Sequence, residues 1–162
     1  EGTLHGERRG DDDDDGLVAG LPLDQLVFNL RNPDSARDTP IQGALDLLAS
    51  VRGDRRAVIV VGTMRELGAA SSDLHSAAAD AVLAVKPDLV AAVGDFVPAF
   101  EALRDRIESK RLLLGDTPEA IAEPLKQKLR AGDVVLFKAS RGVELERIFP
   151  LLWPTITTAE AH

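Results

Sequence analysis

Three side chains able to bind an anion stand together in "GDVVLFKASRGVELE" (132–146), where an apolar run hands over to a helical pattern. They are Lys138, Ser140 and Arg141. Lys and Arg bring permanent positive charge, Ser brings a hydroxyl, and the amides at a helix start add to the pull, so the set suits a carboxylate or a phosphate. The same spacing also lets Lys138 and Arg141 pair with Glu144 or Glu146 in a plain charged turn, and spacing alone does not choose between the two. His75 is the other candidate, as a base, a ligand or a support for the adjoining loop. Its nearest acid in sequence is Asp73, and His5 and His162 sit at the ends of the chain. That isolation favours loop support over catalysis.

The rest of the composition removes whole classes of chemistry. The 162 residues contain no Cys, which rules out disulfides, thiolate nucleophiles and Cys-based zinc sites. Neither G-x-x-x-x-G-K-[ST] nor G-x-G-x-x-G occurs, so both common phosphate cradles are missing. The net charge is −8, of which the first 16 residues hold −5. A chain with that balance and no basic stripe is a poor partner for nucleic acid. It has no run of about 18 apolar residues and no signal-peptide pattern, so no membrane insertion and a cytoplasmic location are expected. Residues 1–20, with five consecutive Asp at 11–15, form an acidic, solvated leading segment, and residues 21–162 form one folded domain. No residue is assigned as catalytic and none as a metal ligand.

The elements that must position these side chains follow an alternating pattern. "LVFNL" (26–30), "AVIVVG" (57–62), "LVAAVG" (89–94), "RLLLG" (111–115) and "DVVLFK" (133–138) read as strands. Helical stripes fall between them: Ile41, Ala44, Leu45 and Leu48; then Leu74, Ala78, Ala81, Val82 and Val85; then Phe96, Phe100, Leu103 and Ile107; then Ile121, Leu125 and Leu129. Thr117-Pro118 is a helix start, and Pro124 within that pattern predicts a bend or a later start. Val143 to Leu152 reads as the last helix, and "TITT" (155–158) as a candidate edge strand. This order predicts an α/β fold with a mostly parallel sheet of about five to six strands and helices on both faces. In such sheets ligands bind outside the carboxyl ends of the strands, which directs attention to Asn29, Arg31, Asn32, Asp34 and Ser35, to Thr63–Glu66, to Asp95 and Asp116, and to Lys138–Arg141.

Two long segments, "VIVVGTMRELGAASSDLH" (58–75) and "GDVVLFKASRGVELERI" (132–148), resemble the C-terminal domain of Mur ligases, most closely the MurF type that joins D-alanyl-D-alanine to a UDP-linked muramoyl tripeptide. The family's first stretch runs like G-D-M-x-E-L-G with a His some seven residues on, and its second like G-D-x-V-L-x-K-G-S-R. "FNLRNPDS" (28–35) is similar to its Y-N-A-N-P-x-S. The resemblance covers roughly residues 26 to 152. Thr63 stands where the family usually has Asp, Ala139 where it has Gly, and Phe28 where it has Tyr, and one extra residue separates Asn29 from Asn32.

The resemblance implies a Rossmann-like, three-layer domain that closes over the active site of an ATP- and Mg²⁺-dependent ligase of bacterial peptidoglycan (cell-wall) synthesis. It implies Lys138, Ser140 and Arg141 as binding residues for D-Ala-D-Ala, Asn29, Asn32 and Ser35 on the ATP side, and Glu66 and His75 as loop supports. It further implies that the UDP-sugar peptide and the P-loop belong to N-terminal and central domains this sequence does not contain, so the chain is expected to be inactive alone. The alternative is a non-catalytic Mur-like domain serving as a structural or protein-interaction subunit of another assembly.

Overall fold

The computed structural model describes residues 17–18, 25–31, 40–64, 71–139 and 145–153. Six strands form one sheet in the order β1-β2-β6-β3-β4-β5. They are β1 (Leu17–Val18), β2 (Leu26–Arg31), β3 (Ala57–Val61), β4 (Leu89–Val93), β5 (Leu112–Gly115) and β6 (Val134–Ala139). All neighbours pair in parallel except β1, which lies antiparallel against β2 with Leu17 opposite Phe28. The sheet therefore takes in two residues upstream of position 21. The five parallel strands and the helices on both faces match the pattern of alternating elements. The Thr155–Thr158 segment lies outside the described residues.

The three central strands are buried along their whole length and apolar except for Lys138: AVIVV in β3, LVAAV in β4 and VVLFKA in β6. Burial on both faces is why they read as continuous runs rather than alternating ones. Alternate side chains feed two cores. One holds Ile59, Val61, Leu136 and Phe28 against Ala44, Leu45 and Leu48 of α1 (Pro40–Arg52), Ala78, Ala79 and Val82 of α2 (Ser71–Ala84), and Phe96 and Phe100 of α3 (Phe96–Glu101). The other holds Val58, Val60, Val135 and Phe137 against Ile121 and Leu125 of α4 (Pro118–Lys128) and Phe149, Leu152 and Trp153 around α5 (Phe149–Leu152).

The strand order explains this division. From β2 through β5 the chain steps in one direction across the sheet with its helices on one face. From β5 it returns across β4 and β3 to β6, and the returning helix α4 lies on the other face. Reversing direction and face together keeps every crossover of one hand, the hand that twisted strands favour.

Several local expectations change in the structure. The α2 stripe is His75, Ala78, Ala79 and Val82, while Leu74 is 43% exposed. The helix is rotated by one position because His75, not Leu74, finds a buried partner, as described below. After Phe100 the chain does not continue as an α-helix. Helix α3 ends at Glu101, and 3-10 turns at Arg104–Arg106 and Ser109–Arg111 lead into β5, with Leu103 and Ile107 still packed against the core. Pro124 neither delays nor interrupts α4, which starts at Pro118 behind a Thr117 cap whose hydroxyl accepts the Ala120 amide N–H at 3.2 Å. The last helix is shorter than the Val143–Leu152 pattern: a 3-10 segment at Leu145–Ile148 followed by α5.

The amino-terminal edge of the sheet is closed by polar ties. Buried Asp133 accepts from Arg56 Nε at 3.0 Å and from the Arg130 amide N–H at 2.8 Å. The Trp153 indole donates to Gln25 at 2.7 Å, and Gln25 in turn donates to the Arg130 carbonyl at 2.9 Å. Arg52 gathers the Val85 carbonyl at 2.8 Å, the Lys86 carbonyl at 3.0 Å and the Asp88 carboxylate at 3.1 Å. These groups satisfy one another, which leaves the opposite, carboxyl-terminal edge as the place to look for a site. Among the described residues no helix is long and apolar enough to cross a membrane.

Candidate functional site at the carboxyl edge

Strand β6 lies between β2 and β3, yet the chain leaving it packs on the opposite face from the helices that follow both neighbours. Connections that diverge in this way open a crevice at the strand ends. Lys138 sits there, next to last in β6, level with Val61 of β3 and Leu30 of β2. It is 3% exposed, and the strand alternation puts it on the same face as Val134 and Leu136. A lysine so completely covered costs free energy unless its ammonium is partnered, so its place at the crevice is a strong constraint on what surrounds it.

The β3 end comes up beside it. The Gly62 amide N–H donates to the Lys138 carbonyl at 3.0 Å, which extends the β3–β6 ladder one residue beyond the strand. Thr63 follows, and its Oγ1 accepts the Asp95 amide N–H at 2.8 Å. Gly94 adopts φ +68°, and a Cβ there would lie 2.3 Å from Thr63 Oγ1, so only glycine fits. The Gly94 amide N–H reaches the Gly115 carbonyl at 3.2 Å, which ties the head of β4 to that of β5.

His75 completes the support. It is 1% exposed, and its Nε2 accepts the Met64 amide N–H at 3.0 Å. An acceptor Nε2 carries no hydrogen, so this bond assigns the ring proton to Nδ1. Phe96 stands edge-on to the imidazole with centroids 4.6 Å apart. The Nε2 lone pair is thus already used within the protein. The ring thus ties helix α2 to Met64 in the loop after β3.

Of the residues singled out in the sequence, Lys138 and His75 are both placed next to the β3 end: Lys138 through the Gly62 bond, His75 through the Met64 bond. Asn29 lies inside β2, paired with Phe137, and the strand runs on to Arg31, so its backbone belongs to the sheet and not to the following loop. Asn32, Ser35, Glu66, Ser140 and Arg141 lie outside the described residues. Gly94 was not among the residues singled out from the sequence, and Thr63 was noted there only as a polar strand-end position where the family usually has Asp. The sequence signal was slight: Thr63 as a polar residue after a strand, and Gly94 as the final residue of an apolar run.

The described residues do not by themselves make a nucleotide–metal site. They bring together no group of three or more His, Asp or Glu that could hold a cation, and no glycine-rich phosphate loop exists in the sequence.

Comparison with known proteins gives a consistent relationship. The family described as "Mur ligase, glutamate ligase domain" matches residues 32–141. The UDP-N-acetylmuramoyl-tripeptide–D-alanyl-D-alanine ligase of Bacillus subtilis (strain 168) is 30% identical over 132 residues, which is 80% of this chain and 27% of that protein. The ligase of the same name from Treponema pallidum (strain Nichols) is 38% identical over 125 residues, 75% of this chain and 25% of that one. The MurF ligase of Thermotoga maritima, solved in complex with ADP, superposes with a TM-score of 0.59 at 29% identity, covering 89% of this chain and 30% of its own. A structure of MurF from Acinetobacter baumannii gives a TM-score of 0.65 at 22% identity over 90% of this chain and 31% of its own, a likeness of fold. The chain spans about a quarter of the length of the curated relatives it matches.

Proposed function

Because this chain belongs to the Mur ligase family, through the domain described as its glutamate ligase domain, we propose that it is the C-terminal domain of a MurF-type ligase. It closes over the active site and presents D-Ala-D-Ala to a UDP-linked muramoyl tripeptide. One observation carries the reading: a lysine 3% exposed, at the diverging end of β6, in the same K-x-S-R segment that carries the resemblance.

The chemistry follows from the residue types. The incoming dipeptide offers an amine that must stay free to attack and a carboxylate that can be gripped. Lys138, with Arg141 and Ser140 after it in sequence, supplies charge and a hydroxyl donor for that carboxylate. Holding the dipeptide by its far end turns the encounter with the acceptor carbonyl into a nearly unimolecular step. ATP supplies activation of the acceptor carboxylate, and it belongs with the Mg²⁺ and the UDP-sugar peptide on the N-terminal and central domains. Asn32 and Ser35, which follow β2 in sequence, are the residues of this chain proposed to face the nucleotide.

Reassembly tests the proposal. This chain, joined to or mixed with the N-terminal and central domains of a MurF ligase, should form the amide from the UDP-linked tripeptide, D-Ala-D-Ala and ATP. Neither part alone should do so. Robust ATP hydrolysis by this chain alone, or reassembled enzyme that turns over at the same rate without it, would sink the idea.

A further inference from the structure

We propose that Thr63 is a positioning residue, whose hydroxyl fixes the turn at the head of β4 and so sets the rim of the crevice that receives the dipeptide carboxylate. The crevice role rests on the ligase reading above; the holding of the turn does not.

The argument begins with how Thr63 is itself held. The residue before it, Gly62, is bound through its amide to the Lys138 carbonyl at 3.0 Å. The residue after it, Met64, is bound through its amide to His75 Nε2 at 3.0 Å. With both neighbours anchored, the direction of the Thr63 side chain is set by the backbone, and it reaches the Asp95 amide N–H at 2.8 Å. That contact joins positions 32 apart in sequence. Gly94, left-handed at φ +68°, leaves the space the hydroxyl occupies, since a Cβ there would stand 2.3 Å from Oγ1. Phe96, next after Asp95, packs against His75. Loop 62–64, turn 94–96 and His75 therefore close a ring of contacts, and the hydroxyl is one link of it.

The ring connects Lys138 to the exposed turn. Lys138 is joined to Gly62, Gly62 leads to Thr63, and Thr63 holds Asp95. Losing the hydroxyl leaves the Asp95 amide without this acceptor and frees the turn to shift relative to Lys138. An acceptor is all the geometry requires of position 63, a need the Thr63 hydroxyl meets where the family usually has Asp.

Thr63→Val keeps the shape and removes the acceptor, while Thr63→Ser keeps the acceptor. In the 162-residue chain, amide exchange at Asp95 followed by NMR should speed up about five- to tenfold in Thr63→Val and return to the original rate in Thr63→Ser. In the reassembled ligase, Thr63→Val should raise KM for D-Ala-D-Ala about tenfold with kcat changed by less than about threefold, and Thr63→Ser should restore it. An unchanged Asp95 exchange rate in Thr63→Val overturns the holding role. A KM left unchanged, or a rise that Ser does not rescue, overturns the crevice role. If the unsubstituted assembly forms no amide, the ligase reading and the crevice role fall together, and the Asp95 exchange rate still decides whether Thr63 holds the turn.

Discussion

His75 Nε2 accepts the Met64 amide N–H at 3.0 Å, and this bond decides which face of helix Ser71–Ala84 lies inside. Imidazole is a poor substitute for leucine in an apolar core unless its nitrogens are satisfied. The loop after β3 offers an amide that the sheet no longer uses, so burying the histidine solves two problems at once. Leu74, one position earlier, is turned outward in consequence and stands 43% exposed.

Replacing His75 with Leu keeps the bulk but strands the Met64 amide. A loss of about 2–3 kcal/mol in unfolding free energy is expected, with His75→Gln recovering part of it through an amide oxygen. Urea unfolding can be followed through Trp153, the single tryptophan, which is 3% exposed in the folded chain. Equal midpoints for His75→Leu and the unsubstituted chain would show that the bond contributes nothing.

Gly94→Ala should be among the more damaging small substitutions. It combines a left-handed backbone with a contact of 2.3 Å to Thr63 Oγ1. A cost of about 2–4 kcal/mol is expected from the two together. Adding Thr63→Ala removes the clash but not the backbone cost, so the double variant should be more stable than the two single losses predict. Simple additivity in the thermal unfolding of the four proteins would argue against the clash.

Asp133 is 1% exposed and relies on Arg56 at 3.0 Å and the Arg130 amide at 2.8 Å. Arg56→Met leaves the carboxylate buried with one donor fewer, and about 3–5 kcal/mol of stability should be lost. Arg56→Met with Asp133→Asn removes the uncompensated charge and should regain a measurable part. Chemical denaturation of the three proteins checks both statements.

Lys138→Met tests binding once its cost to folding is allowed for. Lys138 is engaged within the fold, so cutting it back to an apolar chain removes one side of that interaction and should cost about 3–5 kcal/mol, and the ligation rate is therefore read at a temperature where the variant is still folded. In a reassembled ligase kcat/KM for D-Ala-D-Ala should fall by about 100-fold or more, as when one partner of a buried charge pair is cut away. A folded variant that ligates at the original rate would remove Lys138 from the site.

The regular part of the fold was legible because its signals are local. Val58–Val61, Leu89–Val93 and Val134–Phe137 are β-branched or apolar along both faces, and only a covered parallel strand explains such runs. The stripe Ala44, Leu45 and Leu48 was equally plain, and each of the three is buried. The second helix was harder. Leu74 and His75 are adjacent, hydropathy favours the leucine, and the sequence does not reveal that an unused amide at Met64 awaits the ring. The 3-10 turns after Glu101 were hidden for a similar reason: Leu103 and Ile107 fit a helical stripe and still pack inward through a tighter, i to i+3 bonded path.

What the sequence determined by itself was the five parallel strands, the main helices between them and the family, since periodicity and two long motifs lie within stretches of fewer than about twenty residues. What only the tertiary structure decided was adjacency. Strand β6 is the last of the described strands yet lies between β2 and β3, because the returning helix must cover the face that the earlier helices left open while keeping the same hand of crossover. That insertion sets Lys138 beside Gly62, more than seventy positions earlier in the chain, and it leads through Thr63 to Asp95. Contacts of that separation depend on how two faces of one sheet are filled, which no window of the sequence contains.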